Sequence, residues 1–299
     1  MSGARVLRQF KKRELFPLVL FVVLLLLSTA EAADVLVIGD TRLSPVVEII
    51  SGIRETLDAT VKVYSPSDAR DRLNRIAQKE DAKVVVALGR EALQEALRLP
   101  ASTPVIYDLV VTPPPVSRPN TTGFYMATPV REYSALIRRY IPSVKRIAVV
   151  GSSGLLRTLE DGDDPQVMPH RVKSTIELVE AVRKLDSCDA ILLLPDVALL
   201  TTAALEEIYL SSFRKGIPVL GVSERSVKEG ALLALVFDPV HVGRHIGEDA
   251  SEAMRGVDIG RIPSSPPRNF VLYVNKSTAA KMKIHLPAEL LQKARKAYP

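Results

Sequence analysis

Short apolar runs alternate with amphipathic segments along the first third of the chain, and this alternation limits the fold more than any other feature. The amphipathic segments carry apolar residues at helical spacing. Helices are predicted at 44–57, 67–79 and 90–98, and strands at 34–39, 60–64, 83–88 and 104–109. Such an order predicts a parallel sheet with helices on both faces. The apolar runs are continuous, as expected for strands that are covered on both faces.

The alternation stops at the proline-rich stretch 112–119 and then starts again. Beyond it we predict a short strand and a helix, followed by four strands at 146–151, 189–195, 217–222 and 232–237 that alternate with helices at 174–184 and 202–215. The chain is therefore predicted to form two α/β units in tandem, each a Rossmann-like lobe with a parallel sheet flanked by helices.

The carboxyl-terminal tail has a different order of elements. It predicts a helix at 240–254, a strand at 270–275 and short helices at 276–283 and 287–296. Such a tail could cross back and complete the helical layer of the first unit. We therefore expect lobe I to comprise residues 33–124 with 240–262, and lobe II to comprise residues 125–239 with 263–299.

The first 32 residues have the three-part order of a signal peptide. Five basic residues precede an apolar run at 15–27, and small residues follow at Ala30 and Ala32. The apolar run of 13 residues is shorter than the roughly 20 that a membrane-spanning helix needs. An uncleaved anchor is the alternative. We expect cleavage after Ala32 and a periplasmic protein.

Charge and cysteine content exclude several classes of protein. The first 32 residues hold five of the 40 basic and two of the 34 acidic residues, so the remainder has an excess of only three positive charges. Such an excess does not favour a nucleic-acid partner. Cys188 is the only cysteine, so no intramolecular disulfide is possible, and we expect a half-buried, inert thiol.

Histidine offers the only candidate metal ligands. His241 and His245 lie one helical turn apart, with Glu248 a further turn on. A zinc ion could use such a pair, but Val242 occupies the position of the glutamate in an HExxH motif. No neighbouring cluster completes a site, so we expect a solvated helix face and no metal.

Motifs for nucleotide binding and hydrolysis are also missing. The turn at 151–154 lacks the spacing of a dinucleotide-binding loop, and the chain has neither a G-x-S-x-G elbow nor a P-loop. We therefore expect no catalytic residue and no cofactor, with an α/β hydrolase-like enzyme as an alternative.

Polar residues follow several predicted strands at their carboxyl ends, where open α/β sheets bind ligands. These candidate binding residues are Asp40, Thr41, Arg90, Tyr107, Ser152, Ser153, Asp196, Ser223 and Asp238. Two lobes that face each other would bring both sets to one cleft. A carboxylate such as Asp196 or Asp238 suits an ammonium group. Each residue alone also fits a helix N-cap or a strand-end turn.

Five separated segments resemble one known family. They lie at 104–108, 120–123 (NTTG), 217–232 (IPVLGVSERSVKEGAL), 237–247 (FDPVHVGRHIG) and 270–287 (FVLYVNKSTAAKMKIHLP). Their order and spacing are similar to those of the ABC transporter substrate-binding proteins of the tryptophan- and tyrosine-binding type. The resemblance implies a type I periplasmic-binding-protein fold and a two-lobed clamp that closes on a small solute and delivers it to a membrane permease.

The resemblance also bears on individual residues. Asp196, Ser223 and Asp238 match positions that line or edge the cleft in that family. The chain departs from the family at Gly89–Arg90, where the amino-acid binders tend to have a threonine, and at 155–172, where an acidic, proline-containing stretch replaces a long helix. We expect an amino acid or another small polar molecule as the solute. A ligand sensor coupled to a membrane receptor is the alternative.

Overall fold

The computed structural model describes residues 33–114, 118–159 and 164–299. The predicted signal peptide, residues 1–32, lies outside the described residues. No helix in the described ranges combines the length and the apolar character that crossing a bilayer requires.

The first sheet has five strands in the order β2-β1-β3-β4-β5, and all of its neighbours are parallel. Among the inner strands, β1 and β3 are entirely buried because their residues are apolar without interruption, as the sequence predicts. The strands are β1 (Val35–Ile38), β2 (Val61–Tyr64), β3 (Val84–Leu88), β4 (Val105–Asp108) and β5 (Thr121–Gly123).

Helices α1 (Ser44–Thr56), α2 (Pro66–Ala69), α3 (Leu73–Lys79) and α4 (Arg90–Ala96) connect these strands. The prediction of a single helix over 67–79 is wrong. The chain breaks between α2 and α3 at Asp71, whose φ of 54° is left-handed. An aspartate adopts this conformation more readily than most residues, so the break is a turn that helical periodicity does not reveal.

The second sheet has seven strands in the order β12-β11-β10-β9-β8-β6-β7. Its core strands β6, β8, β9 and β10 are parallel. The strands are β6 (Ile147–Gly151), β7 (Val167–Arg171), β8 (Ala190–Leu193), β9 (Val219–Gly221), β10 (Leu233–Phe237), β11 (Phe270–Asn275) and β12 (Ala294–Tyr298).

The second sheet is mostly parallel, as predicted, but β11 runs antiparallel to β10. Phe237, the last residue of β10, is paired with Phe270, the first residue of β11. The chain thus leaves the second sheet and returns to it at the same end, and this reverses the direction of the returning strand.

The second sheet is covered by helices α5 (Val130–Tyr140), α6 (Ser153–Leu159), α7 (Thr175–Lys184), α8 (Thr202–Lys215) and α9 (Glu224–Glu229), together with α11 (Lys276–Lys281) and α12 (Ala288–Lys293). Helix α8 ends at Gly216, whose left-handed φ of 67° suits a glycine cap. The helix predicted at 287–296 is shorter than expected, because its last residues form β12. The outer strands β7 and β12 are only partly buried and have no apolar run that would predict them.

Helix α10 (Pro239–Met254) comes from the tail and packs on α1 of the first sheet. Val242, Ile246 and Ala250 are buried in the same core as Val35 and Ile49. A short 3₁₀ helix (Ile259–Arg261) then contacts β5 before the chain returns to the second sheet. The tail thus crosses back and completes the first helical layer, as its order of elements predicts.

Candidate functional site

A cavity of about 340 Å³ lies between the two sheets, and residues from both units line it. Arg90 and Val111–Pro113 come from the first unit, while Ser152 and Asp196 come from the second. These residues follow β3, β4, β6 and β8, so the cavity lies at the carboxyl ends of parallel strands. An adjoining cavity of about 760 Å³ shares Arg90 with it. Both volumes suit a small-molecule ligand.

Arg90 is held at the edge of this cleft by the local backbone. It is the first residue of α4, and Gly89 before it has a φ of 98°, which only glycine adopts without strain. The Arg90 side chain is exposed. In residues 33–114, 118–159 and 164–299 no carboxylate forms an ion pair with it. The guanidinium is therefore free to bind an anionic group.

Asp196 faces the same cavity from the second unit. It follows β8 and is half-buried, and its Oδ1 accepts a hydrogen bond from the Ala198 backbone N–H at 3.2 Å. That contact fixes the carboxylate without neutralising it, because no cationic side chain in the described part of the chain pairs with Asp196. Ser152, between β6 and α6, contributes a hydroxyl to the same cavity.

The larger cavity is mostly apolar. Its lining includes Leu93 of α4, Leu97 directly after that helix, and Met126 of the segment that leaves the first sheet. On the side of the second unit it is lined by Val197, which is 79% exposed. An exposed valine at this position is available to contact the apolar part of a ligand. The cleft thus places opposite charges beside an apolar wall.

Asp108 is a buried acid next to this wall, and it is not among the predicted binding residues. It ends β4 with no solvent exposure, and neither carboxylate oxygen has a hydrogen-bond partner. Burial raises the pKa of Asp108 to about 7, and the nearby backbone N–H of Leu109 offsets only part of this effect. Leu109 itself has a φ of 58° and lines the larger cavity. The apolar residues on both sides of Asp108 were the available clue to its burial.

The other predicted residues of the first unit lie elsewhere. Asp40 forms an ion pair with Arg42 at 2.7 Å, and Thr41 lines a separate cavity along α1. Tyr107 is buried, and its hydroxyl donates a hydrogen bond to Ser264 Oγ at 2.6 Å. None of these three side chains lines the cavity that Arg90 and Asp196 share.

In the second unit, the remaining predicted residues lie at the starts of helices. Ser153 is the first residue of α6. Ser223 accepts a hydrogen bond from the Ser226 N–H and so caps α9. Asp238 caps α10 and forms an ion pair with Arg295 at 3.0 Å. Of the nine predicted site residues, the structure brings Arg90, Ser152 and Asp196 to one cavity.

Two open α/β sheets joined by crossing segments, with a cleft at their strand ends, define the class of two-lobed solute-binding proteins with the type I periplasmic-binding fold. The family of ABC transporter substrate binding proteins matches residues 51–298. The chain belongs to this family, which confirms the resemblance seen in the sequence, and its function is solute binding.

Solved structures of the same fold agree with this assignment. A ligand-free, open substrate-binding protein with adhesive properties from Clostridium difficile has a TM-score of 0.67 at 13% identity, and the match covers 89% of this chain and 99% of that one. An ABC domain in complex with L-Trp from Streptococcus pneumoniae has a TM-score of 0.54 at 18% identity, with coverage of 88% and 99%.

A conserved domain protein from Vibrio cholerae is similar with a TM-score of 0.58 at 18% identity, and the match covers 89% of this chain and 99% of that one. No curated protein matches the sequence. At these identities the structural matches show the fold, while the chemistry of the cleft has to be argued from the residues of this chain.

Proposed function

We propose that the protein clamps an α-amino acid with an apolar side chain between its two lobes and delivers it to an ABC permease. Arg90 binds the carboxylate and Asp196 binds the ammonium group. The observation that carries the proposal is the pair of opposite charges that line one cavity from the two sides. Neither charge has an ionic partner among the described residues.

The positions of the two charges favour a zwitterion over a simple anion or cation. A ligand with only a carboxylate would leave Asp196 without a partner in the closed cleft, and burying an unpaired charge is costly. A zwitterion satisfies both groups at once. Leu93, Leu97 and Val197 then contact its side chain, which favours apolar amino acids over sugars.

Binding needs no covalent step, so we propose that the protein is not an enzyme. Closure is driven by ligand contacts to both lobes, because a ligand stabilises the closed state only by its differential affinity for that state. We propose residues 33–124 with 240–262 as lobe I and residues 125–239 with 263–299 as lobe II. The hinge residues lie near Tyr125–Thr128 and Asp238–Pro239.

We further propose that the protein acts in the periplasm after removal of residues 1–32. Members of this family are typically extracytoplasmic, and the order of charged, apolar and small residues before Ala33 is that of a cleavable signal peptide. Mass determination of the exported protein tests this proposal. A mass that begins at Ala33 is expected, and a mass that retains the apolar run contradicts it.

The ligand proposal is tested by thermal shift with three matched compounds: leucine, 4-methylpentanoate and 3-methylbutylamine. Leucine is expected to raise the melting temperature by mass action, and the compounds that lack one of its two charged groups are expected to have little effect. Sugars and purines in the same screen are expected to have none. A shift that 4-methylpentanoate reproduces in full would contradict the role of Asp196.

Variants of Arg90 and Asp196 test whether each of these charges binds the ligand. Arg90→Gln and Asp196→Asn should each abolish the shift with leucine while leaving the melting temperature of the unliganded protein unchanged. Arg72→Gln and Asp81→Asn are matched controls, since both residues are exposed and lie outside the described cavities. Retained leucine binding in Arg90→Gln would remove Arg90 from the site.

A further inference from the structure

His241 and His245 are in direct contact on α10. Their Nε2 atoms are 3.1 Å apart, and the ring centroids are 4.7 Å apart with an interplanar angle of 85°. Both residues are half-buried, and the His245 side chain is 27% exposed. The pair is therefore only partly solvated. Two ring nitrogens converge at one point that solvent still reaches.

Glu248 determines which nitrogen of His245 carries a proton. Its Oε2 lies 2.8 Å from His245 Nδ1. A carboxylate only accepts hydrogen bonds, so Nδ1 is the donor, and the neutral ring keeps its lone pair on Nε2. A carboxylate bound to the far nitrogen is the usual outer support of a metal-binding histidine, because it orients the ring and increases its basicity.

The distance between the two Nε2 atoms matches that of two ligands on one ion. Bonds of about 2.0–2.1 Å place two imidazole nitrogens about 2.9 Å apart at a right angle and about 3.3 Å apart at a tetrahedral angle. The observed separation of 3.1 Å lies between these values. The two side chains are therefore close enough to bind the same ion.

We propose that His241 and His245 bind one divalent transition-metal ion of the class that prefers imidazole, such as Zn²⁺ or Ni²⁺. Within the described ranges, no group of three or more His, Cys, Asp or Glu side chains is arranged around a single ion. The protein thus supplies two ligands, and water completes the coordination. Such a site binds more weakly than a structural zinc site with four protein ligands.

The position of the pair links it to the segments between the sheets. The ring of His245 lies 6.3 Å from that of Phe124, and Phe124 forms a β-bridge with Ser265 of the returning tail. The ion is thus bound beside the two segments that cross between the units. The proposal is independent of the ligand in the cleft.

Isothermal titration of the untagged protein with ZnCl₂ and NiCl₂ tests the proposal. One equivalent of each metal is expected to bind. His241→Gln and His245→Gln should each weaken binding at least about tenfold. Glu248→Gln should weaken it by a similar factor, because the neutral amide no longer increases the basicity of the His245 ring. The other two histidines, His170 and His285, provide matched controls, because their Gln variants should bind as the wild type does.

A second measurement separates metal binding from a fold defect. Nitrogen hyperfine structure in the electron paramagnetic resonance spectrum of the Cu²⁺-loaded protein should indicate two imidazole ligands in the wild type and one in His241→Gln. If a histidine variant fails to fold, Glu248→Gln carries the test, since its side chain is 59% exposed. Unchanged binding in Glu248→Gln and in the folded histidine variants, or no binding by the wild type, would overturn the proposal.

Discussion

The two sheets are covered in different ways. The first sheet obtains α10 from a distant part of the chain, and α10 approaches α1 so closely that a Cβ on Gly52 would lie 2.1 Å from the Val240 carbonyl oxygen. The second sheet is covered by helices close to its own strands in sequence, and a buried hydroxyl of Tyr133 bonds α5 to the Gly221 carbonyl at 2.7 Å. Helix α10 is thus held to the first unit partly by a close contact between two helix backbones, whereas α5 is bound to the second sheet through a side chain.

The largest expected effect comes from placing a side chain between the backbones of α1 and α10. Gly243→Val should destabilise the protein by about 4 kcal/mol or more, because its Cβ would lie 2.1 Å from the Ile49 carbonyl oxygen and two packed helices cannot separate locally. Urea unfolding measures the loss. The matched control is Gly154→Ala in α6, where a Cβ meets nothing within 4 Å. It should be neutral or stabilise by up to about 1 kcal/mol. Equal effects at the two glycines would contradict the comparison.

The buried acid of the first unit predicts a dependence on pH. The pKa of Asp108 is about 7 in the folded state and near 3.8 in the unfolded state. Between these values the folded protein retains a proton that the unfolded chain loses, so the free energy of unfolding decreases as the pH rises. From pH 5 to pH 8 the decrease that Asp108 causes should be on the order of 2 kcal/mol.

The Asp108→Asn variant lacks the pH dependence that Asp108 causes. The free energy of unfolding of this variant should therefore fall less than that of the wild type between pH 5 and pH 8. Asp249 of α10 also has a pKa raised by burial, to about 6, and it changes both proteins in the same direction. The difference between the two pH profiles therefore isolates Asp108. Parallel profiles would show that its carboxyl is solvated in solution.

The smallest expected losses of stability come from removing the hydroxyl of either of two buried tyrosines. Tyr133→Phe should cost about 2 kcal/mol, because the Gly221 carbonyl and the Leu235 N–H both lose a buried partner. Tyr107→Phe in the first unit should cost about 1 kcal/mol, since only the part-buried Ser264 hydroxyl loses its partner. Thermal or urea unfolding of both variants measures the difference. A greater loss at Tyr107 would show that the first unit also depends on side-chain hydrogen bonds.

Much of the fold could be predicted from local pattern. Continuous apolar runs predict the central strands, and amphipathic segments predict most of the longer helices. The break at Asp71 was missed because a single left-handed residue leaves the periodicity intact. The partly buried strands β7 and β12 were missed because edge strands have too few buried positions to require an apolar run.

The candidate site could be predicted only in part. Arg90, Ser152 and Asp196 were placed at strand ends, and the structure brings these three to one cavity. Ser223 and Asp238 have the same pattern in the sequence, yet their side chains cap helices. A polar residue after a strand can serve either purpose, and the choice depends on whether the neighbouring helix start takes up its side chain.

The sequence by itself determined the two α/β units, the crossing tail and the family, because periodicity and motif spacing are properties of neighbouring residues. Only the tertiary structure decided the direction of β11, the burial of Asp108 and the contact between His241 and His245. It also decided that Arg90 and Asp196, more than 100 positions apart, line one cavity without an ionic partner in the described residues. These features depend on which distant segments meet, and that is decided by packing over the whole chain.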